Sequence, residues 1–154
     1  MRALTTILLS FTLLLTSCMI VDVTTPPQEN IYNIDKTKNE LYLLANEWMV
    51  RRFNNAESVI QFQDKEAGKI VGKYNLHTIS NNSVQYNITI PIYCIIDIST
   101  KEGAVKISIE PTGTWQFDEE GMTIYDYSAA DAEKDIQDLC NNLKDYLNNN
   151  TSDW

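Results

Sequence analysis

Residues 84–98 constrain the fold most. They read Val-Gln-Tyr-Asn-Ile-Thr-Ile-Pro-Ile-Tyr-Cys-Ile-Ile-Asp-Ile. Tyr86, Ile88, Ile90, Ile92, Cys94, Ile96 and Ile98 share one face, and Gln85, Asn87, Thr89, Tyr93 and Asp97 share the other. Period-two alternation of this length predicts a strand with one covered face and one wetter face. Pro91 interrupts it and cannot donate to a ladder, so a bulge or a free edge is expected there. After a turn at Lys101-Glu102-Gly103, Val105, Ile107 and Ile109 alternate with Lys106, Ser108 and Glu110.

The other elements fall around this strand. Ile31–Ile34 is a short strand. Thr37 with Glu40 three residues on is a capping box, and a helix follows to about Phe53, with Leu41, Leu44, Ala45, Trp48 and Phe53 on one face. Arg51 and Arg52 suit the negative end of its dipole. Strands are expected at 58–63 and 69–76, joined by a turn at Asp64–Gly68, with His77 in an exposed turn. Ser128 with Asp131 opens a second helix, whose stripe is Ile136, Leu139, Cys140, Leu143 and Leu147. The reading is an α+β domain over residues 31–147, an antiparallel sheet with two helices on its isoleucine-rich face, in the order β-α-β-β-β-β-α. Residues 148–154 read as a frayed tail.

The N-terminus gives an address. Arg2 precedes an uncharged apolar run, Ala3–Leu15, too short to span a bilayer but of signal-peptide length. It ends in Leu15-Thr16-Ser17-Cys18, which resembles the bacterial lipobox. The resemblance implies cleavage after residue 17 and acylation of Cys18. Several acyl chains suffice for stable anchoring. Residues 18–30, with Pro26 and Pro27, then read as a lipidated Cys and a flexible tether reaching roughly 40 Å. Met19, not Asp, follows the Cys, which by analogy with enteric sorting favours the periplasmic face of the outer membrane.

Charge and composition exclude several functions. The 154-residue chain carries 12 basic and 21 acidic side chains, net −9. Removing 1–17 takes Arg2 and no acid. Such a surface repels anionic lipid, leaving the acyl chains as the membrane contact, and lacks the basic stripe of a nucleic-acid binder. One His and three scattered Cys do not make a zinc set. No metal, cofactor or catalytic residue is assigned.

Asn39-Glu40-Leu41-Tyr42 leading to Trp48, then Ser58-Val59-Ile60 and Asp64-Lys65-Glu66-Ala67-Gly68-Lys69-Ile70-Val71-Gly72-Lys73, resemble the Bacteroides-type lipoproteins of domain-of-unknown-function family 4468. The resemblance implies a TATA-binding-protein-like fold and no activity. It does not import DNA binding, because this chain is acidic.

Four aromatics are candidates for a binding surface: Tyr93, Trp115, Tyr125 and Tyr127. Tyr93 stands on the wet sheet face among amides and hydroxyls, a face that either binds an envelope protein or glycan or is merely hydrated. Trp115, Tyr125 and Tyr127 either line a ligand groove or plug the sheet's end under a loop. Asp118-Glu119-Glu120 lacks calcium-loop spacing and reads as a hairpin tip. Cys94 and Cys140 both point into the core, as buried thiols or as a bridge. The leading expectation is a non-catalytic, lipid-anchored binding or assembly module. The alternatives are an envelope hydrolase using a carboxylate near Tyr127, such as Asp126 or Glu120, and a structural protein that self-associates through the outer sheet face.

Overall fold

The structure is a computed structural model. It describes residues 21–23, 27–53, 55–83, 86–112, 115–117 and 127–151; for 21–23, 56, 80–83, 86–88 and 115–117 it describes the backbone alone. The elements are β1 (Val21–Val23), β2 (Gln28–Asn33), α1 (Lys38–Arg52), α2 (Ala56–Val59), β3 (Ile60–Asp64), β4 (Lys69–Ser83), β5 (Tyr86–Lys101), β6 (Ala104–Pro111), β7 (Trp115–Phe117) and α3 (Ala129–Asn149). Five strands form one antiparallel sheet in the order β2-β6-β5-β4-β3, and β1 pairs with β7 in a separate ribbon.

Both long helices start where the capping chemistry puts them. Thr37 Oγ1 accepts from Glu40 N at 3.3 Å, and Glu40 returns a carboxylate to Thr37 N at 2.9 Å. Ser128 and Asp131 repeat this at α3, at 3.2 and 2.9 Å. The hydrogen bonds hold the Glu40 and Asp131 carboxyls below their ordinary pKa values. Each box satisfies two amides that a helix start otherwise leaves open.

The two helices lie on the isoleucine-rich face, α1 over β5 and β6, α3 over β2 and β6 and against α1. Leu41, Leu44, Trp48, Ile96, Ile98, Ile107, Ile109, Ile136 and Leu143 are fully buried between these layers. Trp48 Nε1 donates to Asn142 Oδ1 at 2.8 Å, tying α1 to α3. Cys94 and Cys140 are both in this core as free thiols.

Pro91 lies where an edge was expected. Pairing of β5 with β6 ends at Cys94–Pro111, so from Ile92 back to Tyr86 β4 is the only strand partner of β5 among the described residues. The bulge falls on the opposite strand, between Asn75 and His77.

Five expectations are corrected. The long hairpin continues to Ser83, and His77 is in β4 opposite Ile92, not in an exposed turn. The start of the expected strand at 58–63 is instead the single helical turn α2, a third helix. The expected tether 18–30 contains β1, and its last residues, Gln28–Asn30, already pair with Ile109–Ile107 of β6. β1 and β7 add two strands to the expected order. The tail starts later, because α3 runs to Asn149 and Leu147 is fully buried.

Candidate functional site

The helices cover one face of the sheet, and among the described residues the other face is open. Cross-strand rows define it. One row runs Phe62–Val71–Asp97–Ser108–Glu29 and the next Lys69–Ser99–Lys106–Ile31. Phe62 and Ile31 are 51% and 62% exposed. Lys69 pairs with Asp97 at 3.0 Å and Lys106 with Glu29 at 3.1 Å, so these charges neutralise one another within the face. Such exposed pairs contribute little to stability. Their effect is to leave the apolar side chains in a patch of no strong sign.

Tyr93 stands at the end of this face. Lys73 Nζ lies 4.4 Å from the centre of its ring, a cation–π contact that fixes both side chains. Thr112 caps the strand by donating to Tyr93 O from its amide at 2.8 Å and from its hydroxyl at 3.2 Å. Beside Tyr93 opens a cleft of about 600 Å³, lined by Arg52, Phe53, Asn55, Ser58, Lys73 and Tyr93 among others. Phe53 and Tyr74 pack beside it with ring centres 4.4 Å apart and planes tilted by 41°.

Tyr127 is on the other side of the sheet and is buried, 4% exposed. It packs with Ile79, Ile92 and Ala132 in a second small core. His77 stacks flat on its ring at 4.0 Å and 3°, and its hydroxyl donates to Asp135 Oδ2 at 2.8 Å. Burial, then the Asp135 bond, pushes the Tyr127 phenol well above its ordinary value. Of the two readings of this aromatic group, the plug describes Tyr127; as an exposed anchor it is corrected, because ring and hydroxyl are both engaged internally. Trp115 lies in β7 with its backbone opposite Val23. Tyr125, Asp126, Asp118–Glu120 and Cys18 lie outside the described residues.

The thiols are held inert. Burial pushes Cys94 up to about 12 and raises Cys140 as well. A thiol kept protonated by its surroundings is a poor nucleophile and metal ligand. Among the described residues, no cluster of His, Cys, Asp and Glu has the makings of a metal site, and no helix is long and apolar enough to cross a membrane.

The stretch 64–73 serves architecture. Asp64 Oδ1 accepts from Ala67 N at 2.9 Å, and Gly68 follows with φ +73°. A Cβ on Gly68 would meet Thr100 O and Oγ1 at 2.6 Å and Lys38 Cε at 2.7 Å. Gly68 O accepts from Thr100 N at 2.7 Å and Thr100 Oγ1 at 3.1 Å. Lys38 Nζ reaches Glu66 O, and Glu102 accepts from Lys38 N at 3.0 Å. Two hairpins and the start of α1 are thus locked together. A Cβ on Gly72 would meet Met49 Cε at 2.6 Å and Val59 O at 3.2 Å, so its bare backbone lets α1 and α2 approach β4.

Sequence reasoning placed Tyr93 and Lys73 together on the wet sheet face. It missed Arg52, which looked like a dipole cap, as their neighbour across the cleft. Phe62 carried a readable signal, a large apolar residue between Gln61 and Gln63 on a short strand.

The fold has relatives. The family model described as "Domain of unknown function (DUF4468) with TBP-like fold" matches residues 28–112, more than half of the chain. A DUF4468 family protein from Bacteroides ovatus ATCC 8483 superposes with a TM-score of 0.52 at 14% identity, covering 91% of this chain and 95% of that one. A TBP-like protein from Parabacteroides distasonis ATCC 8503 gives 0.53 at 12% identity, covering 79% and 91%. At such identities the likeness is one of fold. No curated protein matches the chain.

Proposed function

The chain belongs to the DUF4468 family, with its TBP-like fold, and from that premise we propose that it is a lipid-anchored module of the bacterial cell envelope. It is held by acyl chains on Cys18 at the periplasmic face of the outer membrane, and it binds an envelope partner, protein or glycan, without catalysis. The observation that carries the mode of action is the one-sided sheet. The apolar stripes of α1 and α3 are buried in the core, while Phe62 and Ile31 remain on the open face between neutralised charges and Tyr93 stands at its end against Lys73. Aromatic and apolar anchors surrounded by weakly charged groups are what an interface centre requires. The wet face of α3, with Asp131, Glu133, Asp135, Asp138 and Asp145, is the opposite.

The address is supported by Leu15-Thr16-Ser17-Cys18 at the end of the apolar run. Cells expressing the chain are fed an alkyne fatty acid. Wild-type chain takes up the label and Cys18→Ser does not. Equal labelling of the two overturns the anchor.

A further inference from the structure

The cleft beside Tyr93 follows from the length of β3. That strand begins at Ile60 opposite Gly72, so from Lys73 onward the outer edge of β4 has no partner among the described residues. The end of α1 and the turn α2 fold over the gap, and the resulting hollow is about 600 Å³, within the roughly 300–1,000 Å³ of small-molecule sites.

Its charge is the reverse of the chain's. No acid lines it. Arg51 is held by Glu47 at 2.6 Å, but its neighbour Arg52 makes no ion pair among the described residues, and neither does Lys73. Two cations free of carboxylates on one hollow, in a protein of net −9, select an anion. Arg52 supplies a fork that matches a carboxylate in two bonds. Lys73 is pre-positioned by the Tyr93 ring. The rest of the lining includes Asn55 and Ser58, which exchange hydrogen bonds with hydroxyl groups, and the half-buried ring of Tyr74, backed by the buried Phe53. A body carrying many hydroxyls and one acid group meets all of these.

We propose that this cleft binds the carboxylate of an acidic saccharide, with Arg52 and Lys73 on the acid group and Asn55 and Ser58 on the ring hydroxyls. The proposal rests on the reading of the protein as a binding module and gives that module a ligand class. A peptide carboxylate shares the acid chemistry and is distinguished by experiment.

The full-length chain, purified in detergent, is titrated by calorimetry with a trimer of galacturonic acid, with its methyl ester, and with a glutamate-containing hexapeptide. The acid trimer binds, the ester at least tenfold more weakly, and the peptide more weakly than the trimer. Arg52→Gln and Lys73→Met each weaken the trimer at least fivefold. Lys134→Met, at an exposed position of α3, leaves it unchanged. Equal binding of acid and ester, wild-type affinity in both cleft variants, or no binding by any probe overturns the proposal. A peptide that binds more tightly than the trimer overturns the saccharide assignment. The titration requires neither Cys18 acylation nor a cellular partner. Its failure beside intact sheet-face crosslinks in cells therefore removes the ligand alone, and its success without them removes the envelope-partner reading alone.

Discussion

Gly68 and Gly103 have nearly the same backbone, φ +73° and +70°, and a pair of alanine substitutions separates conformation from packing. At Gly103 a Cβ meets nothing within 4 Å, so Gly103→Ala costs the left-handed strain alone, about 1–2 kcal/mol. The smaller entropy of the unfolded alanine chain offsets part of that, by about 0.4–1 kcal/mol. The net loss is about 1 kcal/mol. At Gly68 the same strain is joined by a clash with the backbone of Thr100 at 2.6 Å. Thr100 cannot retreat without lengthening its two bonds to Gly68 O, and it is 5% exposed, so water does not replace them. Overpacking adds about 1–3 kcal/mol and a weakened buried bond about 1, for a total of about 3–5 kcal/mol. With a urea slope of about 1.5 kcal/mol per molar, the Gly68→Ala midpoint, followed by circular dichroism, falls by about 2 M or more. Gly103→Ala falls by about 0.7 M. Equal shifts would refute the argument that the turn before β4 is locked onto Thr100.

Two further outcomes follow from the core. Trp48→Ala lowers stability by about 3–5 kcal/mol, whereas Trp48→Phe loses mainly the bond to Asn142, about 1 kcal/mol, because Asn142 is exposed and water takes its place; an alanine variant shifted by less than 1 kcal/mol in urea would put α1 elsewhere. Burial holds Cys94 protonated up to about 12 against an ordinary 9.0, so the unfolded chain releases that proton first. The Cys94 contribution is therefore complete below pH 9 and is lost as pH rises toward 12, by about 1.4 kcal/mol per pH unit. Cys94→Ala flattens the alkaline limb of the stability profile, and an unchanged slope would show the thiol to be solvated.

Helix starts and the covered sheet face were legible because they depend on neighbours in sequence. Thr37–Glu40 and Ser128–Asp131 are local signals, and the run of isoleucines at 90–98 states its own period. What was hidden depends on partners far along the chain. Asn81, Asn82 and Ser83 look like a loop, yet they are in β4 because β5 pairs with them to Tyr86. The bulge between Asn75 and His77 shifts the register by one, which erased the alternation that would have identified His77 as a strand residue. Asn148 and Asn149 conceal a helix end that the buried Leu147 and the Asn150 cap extend. Pairing of Val21–Val23 with Trp115–Phe117 is a contact between distant segments of the chain that no local pattern announces. The cleft was hidden for the same reason: Arg52 and Lys73 read as ordinary surface charges until the fold puts them on one hollow.

The most direct test of an outward-working sheet face is photo-crosslinking in living cells from single positions on either side of the molecule. A photoreactive residue is placed at Ile31, Phe62 or Tyr93 on the open face, and at Asp138 or Lys144 on the exposed side of α3. Crosslinked adducts from the sheet positions, with none from α3, are the expected result. Adducts arising from Asp138 and Lys144 alone would contradict it and move the working surface to the helices.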